Sequence, residues 1–387
     1  MKRELTGQWF PQTVGGETWK AFVPLPLPPE PMLVLNADLQ TRLQRAAVAL
    51  GKLDSATDFL PDPALFLYSY VRKEAVLSSQ IEGTQSTLDE LLLFENEGAP
   101  GVPLDDLQEV SSYATAMDHG LKRLSEGFPL CLRLIREIHG VLLSHGRGSG
   151  KQPGEFRTSQ NWIGGSRPGN AVYVPPPPDQ LLECLGGLEK FLHNEPGPTP
   201  TLVKAALAHV QFETIHPFLD GNGRIGRLLI TLLFVHERIL SQPLLYLSLH
   251  LKQNRSTYYT LLQRVRTEGV WEEWLAFFFD GVAETSEQAA GTAKRLLKLF
   301  AADAERIHGL GKAAPTALRL HGLLQKRPFT TAVRAATALD LSFPAISGAL
   351  DKLTELGIVR EITGGARNRI FAYKDYLTIL GEGTEPL

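Results

Sequence analysis

The sequence predicts a mostly α-helical protein with one β-hairpin, followed by a last section of short helices and a strand pair. Three observations predict this class. Apolar residues recur at helix spacing over most of the chain, most plainly Leu202, Ala206, Leu207 and Val210, and then Ile225, Leu228, Leu229, Leu232 and Leu233. Strand-prone runs bounded by turn residues stand at 160–174 and 358–373. A chain of 387 residues at 43% hydrophobic can bury a substantial core in two or three domains.

Composition narrows the class of function. A net charge of −3 argues against a protein coated in basic surface for nucleic acid, with a local patch left open. The two cysteines, Cys131 and Cys184, lie in apolar helical segments away from any Cys/His cluster, which predicts reduced thiols and no zinc or disulfide framework. Met1-Lys2-Arg3-Glu4-Leu5 is followed by no apolar stretch of signal-peptide length. The apolar run Leu228–Leu233 soon meets His236, Glu237 and Arg238, so no membrane span is expected and the predicted location is cytoplasmic.

In chain order, residues 1–35 are predicted to be an extended, proline-rich segment, polyproline-like over Val23–Pro31, packed as a strap along the surface. A helical region over 36–125 holds helices at Ala37–Lys52, Pro63–Glu82, one opened by a Thr87/Glu90 capping box, and Asp105–Leu124. The face of the Pro63–Glu82 helix carries Leu65, Leu67, Val71, Ala75 and Leu77, and Gly83 stops it. A core over 126–285 holds helices at Leu130–Leu143 and Leu181–Leu192, the hairpin at 160–174, a helix from Asn254 to Glu268 and the apolar Trp271–Phe279. A connecting helix fills 286–312, and 313–387 forms the last domain.

The stretch that carries chemistry is His216-Pro217-Phe218-Leu219-Asp220-Gly221-Asn222-Gly223-Arg224-Ile225-Gly226-Arg227. Helical period on both sides makes it a tight loop entering the N-terminus of a buried helix. Gly221 and Gly223 permit angles that expose successive N–H groups, and the helix start adds unsatisfied donors and partial positive charge. That is an anion cradle suited to phosphates. Arg224 and Arg227, three apart, can extend it along a polyphosphate. Asp220 offers a hard oxygen ligand suited to Mg²⁺, and His216 at the loop entrance can take a proton near neutral pH. A hairpin turn is the commoner meaning of Asn-Gly, but the flanks lack strand period; a calcium loop would need regularly spaced acids, which are missing.

This stretch resembles the Fic family signature, His-x-Phe-x-(Asp/Glu)-Gly-Asn-Gly-Arg-x-x-Arg, at every fixed position. The resemblance implies a Fic-type helical bundle with a β-hairpin flap that moves AMP from ATP to a Ser, Thr or Tyr hydroxyl of a protein. His216 would be the general base, Asp220 the Mg²⁺ ligand and Phe218 a buried anchor. Gly221, Asn222, Gly223, Arg224, Ile225, Gly226 and Arg227 would bind ATP, with Asn222 and the amides on the α-phosphate and the two arginines on the outer phosphates. Ser78-x-x-x-Glu82-Gly83 is similar to the family's inhibitory motif (Ser/Thr)-x-x-x-Glu-(Gly/Asn), which implies that Glu82 pairs with Arg227 and blocks seating of the γ-phosphate. Taken alone, Glu82 is an acid at the unfavourable end of a helix dipole that a nearby cation would offset.

Within the hairpin, Trp162, Ile163, Gly164, Val172 and Tyr173 would form the flap that holds a target segment by strand addition; an ordinary surface hairpin is the alternative. Arg157, in the family-like run Pro153–Arg157, is expected to make an ion pair or position a loop rather than act as a catalytic group. Asn254 and Tyr258 would border the adenine, with core packing the competing reading. The last domain resembles a winged helix-turn-helix: first helix Thr330–Leu339, second Ser342–Leu353, and a wing with Arg360, Arg367 and Arg369. Asp351 and Glu355 on the second helix oppose strong DNA binding, so a protein-interaction or dimerisation module stays open beside DNA. Self-modification and a homodimer are also open. Alternatives to AMP transfer are AMP removal, another phosphate-linked donor, and a nucleotide-sensing DNA-binding regulator.

Overall fold

The computed structural model describes residues 6–58, 63–97, 104–364 and 369–387. The chain begins as an antiparallel hairpin. β1 (Gly7–Val14) pairs with β2 (Glu17–Pro24) in register from Gly7↔Pro24 to Val14↔Glu17. Gly15 and Gly16, at φ 61° and 82°, supply the two left-handed positions that a tight hairpin turn requires. The expected extended segment over 1–35 is thereby corrected: among its described residues, β1 and β2 fill Gly7–Pro24 and the proline-rich part after Pro24 runs without regular structure, while residues 1–5 lie outside the described residues. Trp9 packs on Phe22 at 4.9 Å between ring centres.

Three long helices follow: α1 (Ala37–Asp58), α2 (Pro63–Ile81) and, after the short α3 (Leu88–Glu97), α4 (Leu104–Ser125). The capping box at the start of α3 is reciprocal: Thr87 N–H donates to Glu90 Oε2 at 2.8 Å and Glu90 N–H to Thr87 Oγ1 at 3.4 Å. Leu67 and Val71 pack as the helical spacing predicts, with Ala75 and Leu77 fully buried; the Leu65 side chain lies outside the described residues. The bundle continues with α5 (Leu132–Leu142), α6 (Pro178–Leu192), α7 (Thr201–Ile215) and α8 (Asn222–His236). Helices α7 and α8 are buried on nearly every side, so neither shows a one-sided apolar stripe, and α7 buries polar groups such as His209 and Glu213 beside its apolar residues.

Two differences from the sequence reading bear on the site. The hairpin at 160–174 is reduced to a single antiparallel bridge, Ile163↔Tyr173, with one 3₁₀ turn at Pro168–Asn170. The Gly164-Gly165 pair, Pro168 and Gly169 leave too few paired residues for strands. Its far side is not a free edge throughout, since Phe22 N–H donates to Val174 O at 2.9 Å. Beyond α9 (Ser248–Gln253) and α10 (Arg255–Glu268), one helix of 38 residues, α11 (Trp271–His308), replaces the expected apolar core stretch and separate connecting helix. The expected boundary at 285/286 falls inside it. Its first half packs in the core through Trp274, Phe278 and Val282, and α11 lies along α1.

The last section holds α12 (Ala314–Lys326), β3 (Phe329–Thr331), α13 (Ala332–Leu339), α14 (Phe343–Glu355), β4 (Val359–Glu361), β5 (Ile370–Tyr373) and α15 (Lys374–Gly381). The strands order as β3-β5-β4, all antiparallel. Thr331 and Ser342 cap α13 and α14 through their hydroxyls. Thr330 and Thr331 are therefore strand and cap rather than helix. Arg367 of the expected wing lies outside the described residues. Arg369 faces Asp351 of α14 at 3.8 Å. No helix among the described residues is long and apolar enough to cross a membrane.

Candidate active site

The loop from His216 to Gly221 joins α7 to α8, and its shape is fixed by side chains from outside it. His216 ends α7 in the left-handed region, φ 49° and ψ 63°. For a residue with a Cβ this costs roughly 1–2 kcal/mol, so something must hold it. Arg157, 2% exposed, does so: its Nε donates to His216 O at 3.0 Å, and its other nitrogens reach Ser159 O, Pro176 O and Ile215 O. Asn161 Nδ2 adds donations to His216 O and Phe218 O. Arg157 is thus the loop-positioning residue that the sequence suggests.

Phe218 is fully buried and stacks on His139 of α5, ring centres 3.7 Å apart and 6° from parallel. The imidazole of His139 is a bracket. Gly154 N–H donates to its Nδ1 at 2.9 Å, so Nε2 carries the proton and donates to Asp220 O at 3.0 Å. Burial lowers its pKa to about 4, which keeps that neutral tautomer. Asn222 closes the loop from inside: its Oδ1 accepts from Phe218 N–H and its Nδ2 donates to Phe218 O, both at 2.8 Å. The Asn222 amide therefore shapes the cradle.

Gly221, at φ 76°, makes the turn into α8, and a Cβ there would meet Leu142 and His139. The first bond of α8 is Ile225 N–H to Gly221 O, which leaves the N–H groups of Asn222, Gly223 and Arg224 without a carbonyl of their own helix. Gly223 admits a neighbour: a Cβ built there would lie 2.3 Å from Glu82 Oε1. Gly226 admits Glu213 in the same way, at 2.5 Å from its Oε1.

Arg227 is 2% exposed and is held by α2 and the residue just past it. Its NH2 reaches Glu82 Oε1 at 2.6 Å and Ser78 O at 3.0 Å, and its Nε donates to Ser78 Oγ at 2.8 Å. Burial would raise the Glu82 carboxyl, but Arg227 outweighs it and holds the group below the ordinary carboxylate range. The cation needed against the helix dipole is also present: Arg255 Nε donates to Ile81 O at 3.0 Å. Glu82 keeps 30% of its side chain exposed, towards the cavity that it lines.

That cavity has a volume of about 550 Å³. From the signature, His216, Gly223 and Arg227 line it, and so do Trp162, Ile163, Gly164, Val172 and Tyr173. Burial, with Arg266 and Arg157 nearby, lowers the His216 pKa to about 3, so the imidazole is neutral and able to accept a proton. Tyr258 is also in the wall. Its hydroxyl donates to His209 Nε2 at 2.9 Å while His209 Nδ1 donates to Gly226 O at 3.0 Å, which ties α10 to the start of α8.

Two expected site residues stand elsewhere. Asn254 sits at the α9–α10 junction with its Nδ2 on His250 O and is not in the wall. The positions facing the cavity from α10 are Arg255, Tyr258, Tyr259, Leu262, Gln263 and Arg266. Arg224 does not point along the cavity with Arg227. Its NH1 meets Glu109 of α4 at 2.8 Å, and its NH2 lies 3.7 Å from Asp220 Oδ1. The guanidinium is 1% exposed and Glu109 3%. Asp220 is one-third exposed at the mouth of the loop, with Oδ1 accepting Gly221 N–H at 2.6 Å. Among the described residues no three acidic, His or Cys groups gather to cage a metal. A single partly exposed carboxylate beside a phosphate cradle nevertheless fits Mg²⁺, which commonly takes one or two carboxylates plus phosphates and water.

The Fic/DOC family N-terminal model matches residues 40–122, and the Fic/DOC family model matches residues 129–234. The chain belongs to the Fic/DOC family. It is 31% identical to protein adenylyltransferase Fic of Drosophila sechellia over 208 residues, covering 53% of this chain and 39% of that protein. With protein adenylyltransferase Fic of Drosophila grimshawi it is 31% identical over 255 residues, covering 64% and 49%. The chain thus spans about half or less of the length of these curated relatives. A Fic family protein from Desulfovibrio desulfuricans G20 superposes with a TM-score of 0.59 at 18% identity, over 89% of this chain and 98% of that one. Fic-1 from C. elegans superposes at 0.50 and 23% identity, over 68% and 74%. At these identities the two structures share the Fic fold. The Fic/DOC matches end at 234, before the α10 residues that complete the cavity.

Proposed function

We propose that this chain is a protein adenylyltransferase that moves AMP from ATP to a hydroxyl side chain of a protein, its own chain included, and that Glu82 restrains it. The observation that carries the reading is the shared cavity: a neutral His216, the α8 start and Arg227 face one space beneath the 162–173 segment. A hydroxyl oxygen attacks the α-phosphorus of ATP, its proton passes to the His216 imidazole, and the bond to pyrophosphate breaks. The N–H groups at the start of α8 hold the phosphate oxygens as charge moves to the leaving group. Mg²⁺ at Asp220, when bound, supplies charge neutralisation between the phosphates. The 162–164 segment lines the same cavity, and an extended target segment would run along it.

The Glu82–Arg227 pair supports the restraint. Arg227 is the cation that an outer phosphate would need, and Glu82 occupies it while crowding Gly223. We read the last section, α12 to β5, as a winged helix-turn-helix; the pairing of Arg369 with Asp351 neutralises part of its basic face.

Incubation with radiolabelled ATP and Mg²⁺ should label the protein or a partner in a lysate, with one AMP mass added per site. His216→Ala should remove the labelling while leaving the melting temperature near wild type. Undiminished transfer by His216→Ala would remove the assigned base and the mechanism with it.

A further inference from the structure

The inhibitory helix has a second polar face. Ser69, Lys73 and Gln80 of α2 lie at i, i+4 and i+11, one stripe of the helix, pointing away from the Ser78/Glu82 face. All three are buried, Lys73 completely. Their partners come from α15 and the residues just after it. Ser69 Oγ is 3.0 Å from Tyr376 Oη. Lys73 Nζ donates to Leu380 O at 2.9 Å and Glu382 O at 2.8 Å. Gln80 Nε2 donates to Thr384 O and to Ser86 O, both at 2.8 Å. The segment is pinned on its other side as well. Lys252 of α9 donates to Gly383 O and Glu385 O, Arg295 of α11 grips Glu382 with two bonds of 2.6 Å, and Gly383 at φ 83° lets the backbone press on Leu249.

We propose that residues 382–385 are a strap that sets the position of the last turn of α2, and so sets how firmly Glu82 holds Arg227. Apolar packing alone lets a helix shift; hydrogen bonds from buried donors to fixed carbonyls do not. Gln80 is two residues before Glu82 and links the strap to the loop that leaves α2. Without the strap, the Lys73 ammonium loses Glu382 O and keeps Leu380 O, and the Gln80 amide loses Thr384 O and keeps Ser86 O; each buried head is left with one unmet donor, a state that is relieved when this turn moves towards water. The strap continues directly from α15, whose Tyr376, Leu377 and Leu380 are buried. Displacement of the last section therefore reaches Glu82 through four residues of main chain. This inference rests on the reading of Glu82 as a restraint and adds what controls it.

The test compares wild type, a deletion of residues 382–387, Gln80→Met, Glu82→Gly and the deletion combined with Glu82→Gly. Two readouts are used: self-labelling with ATP, and hydrogen exchange of the amides over 79–84. The deletion should raise labelling by about tenfold, the scale of one lost charge-assisted bond. It should add nothing in the Glu82→Gly background and should speed exchange over 79–84. Gln80→Met should do both to a smaller extent. A folded deletion with wild-type labelling, beside an activated Glu82→Gly, would overturn the strap. If Glu82→Gly itself is not activated, the restraint reading fails, and the exchange data alone decide: unchanged protection over 79–84 refutes the strap. Should the deletion not fold, Gln80→Met carries the same two outcomes.

Discussion

Replacing Glu82 by glycine isolates the restraint, because Glu82 lies just past the last residue of α2 and glycine there disturbs little helix. The change removes the 2.6 Å contact to Arg227 and leaves both Ser78 contacts in place. A hydrogen bond to a charged group contributes about 1.5–3 kcal/mol. The partial exposure of Glu82 to the cavity puts this pair at the low end, about 1.5–2 kcal/mol. If that energy opposes seating of the outer phosphate, its loss speeds transfer by about 10- to 30-fold. The assay is initial-rate self-labelling with ATP at saturating Mg²⁺, beside thermal melts to show that the variant is folded. Glu82→Gln, which keeps the shape and loses the charge, should fall between the two. The carboxyl is held below its ordinary pKa, so the pair is fully formed above about pH 4.5 and is lost only as pH falls through the depressed value. The ratio of mutant to wild-type rates should then stay flat between pH 6 and 8. A folded Glu82→Gly that labels no faster than wild type would refute the reasoning.

Other substitutions test the supports of the loop. His139→Phe keeps the stack on Phe218 but strands Asp220 O and Gly154 N–H, so kcat should fall by about tenfold or more in single-turnover labelling, with a lower melting temperature. Arg157→Lys cannot span the carbonyls of Ser159, Pro176 and His216 together; labelling should drop while ATP binding by calorimetry stays near wild type. Burial raises the Glu213 carboxyl to about 7, so its cost is absent at low pH and grows as pH climbs from about 4.5 through 7. Glu213→Gln should therefore gain stability over wild type between pH 5 and pH 8, read as a widening difference in melting temperature; an equal difference at both pH values would contradict it.

The loop chemistry was legible because it is local: glycines, a helix start and fixed spacings within 12 residues define the cradle. The Glu82–Arg227 contact was legible only through the family resemblance, since 145 residues separate the partners. His139, Asn161, Glu109 and the α10 wall residues Arg255, Leu262, Gln263 and Arg266 were not legible, because they meet the site only through packing of separate elements. Arg224 shows the limit of spacing arguments. Three residues from Arg227, it was expected on the same phosphates, yet Glu109 draws its head towards α4. A signal was present but unused in the N-terminal hairpin, where Gly15-Gly16 marks the turn between strands that the nearby prolines masked. Gly281 sits inside α11 where the His250 ring passes 2.6 Å from the place a Cβ would take, a close approach that only the packed structure reveals.

The 38-residue α11 also governs how the protein can be dissected. At 1.5 Å per residue it is a beam roughly 57 Å long, shared by the catalytic bundle and the last section. A cut at 285 would saw through the beam: the C-terminal piece would bare Ala289, Ala293 and Leu296, and the N-terminal piece would uncover part of the α1 face that α11 lies along. Recombinant pieces that hope to remain soluble must carry the beam whole.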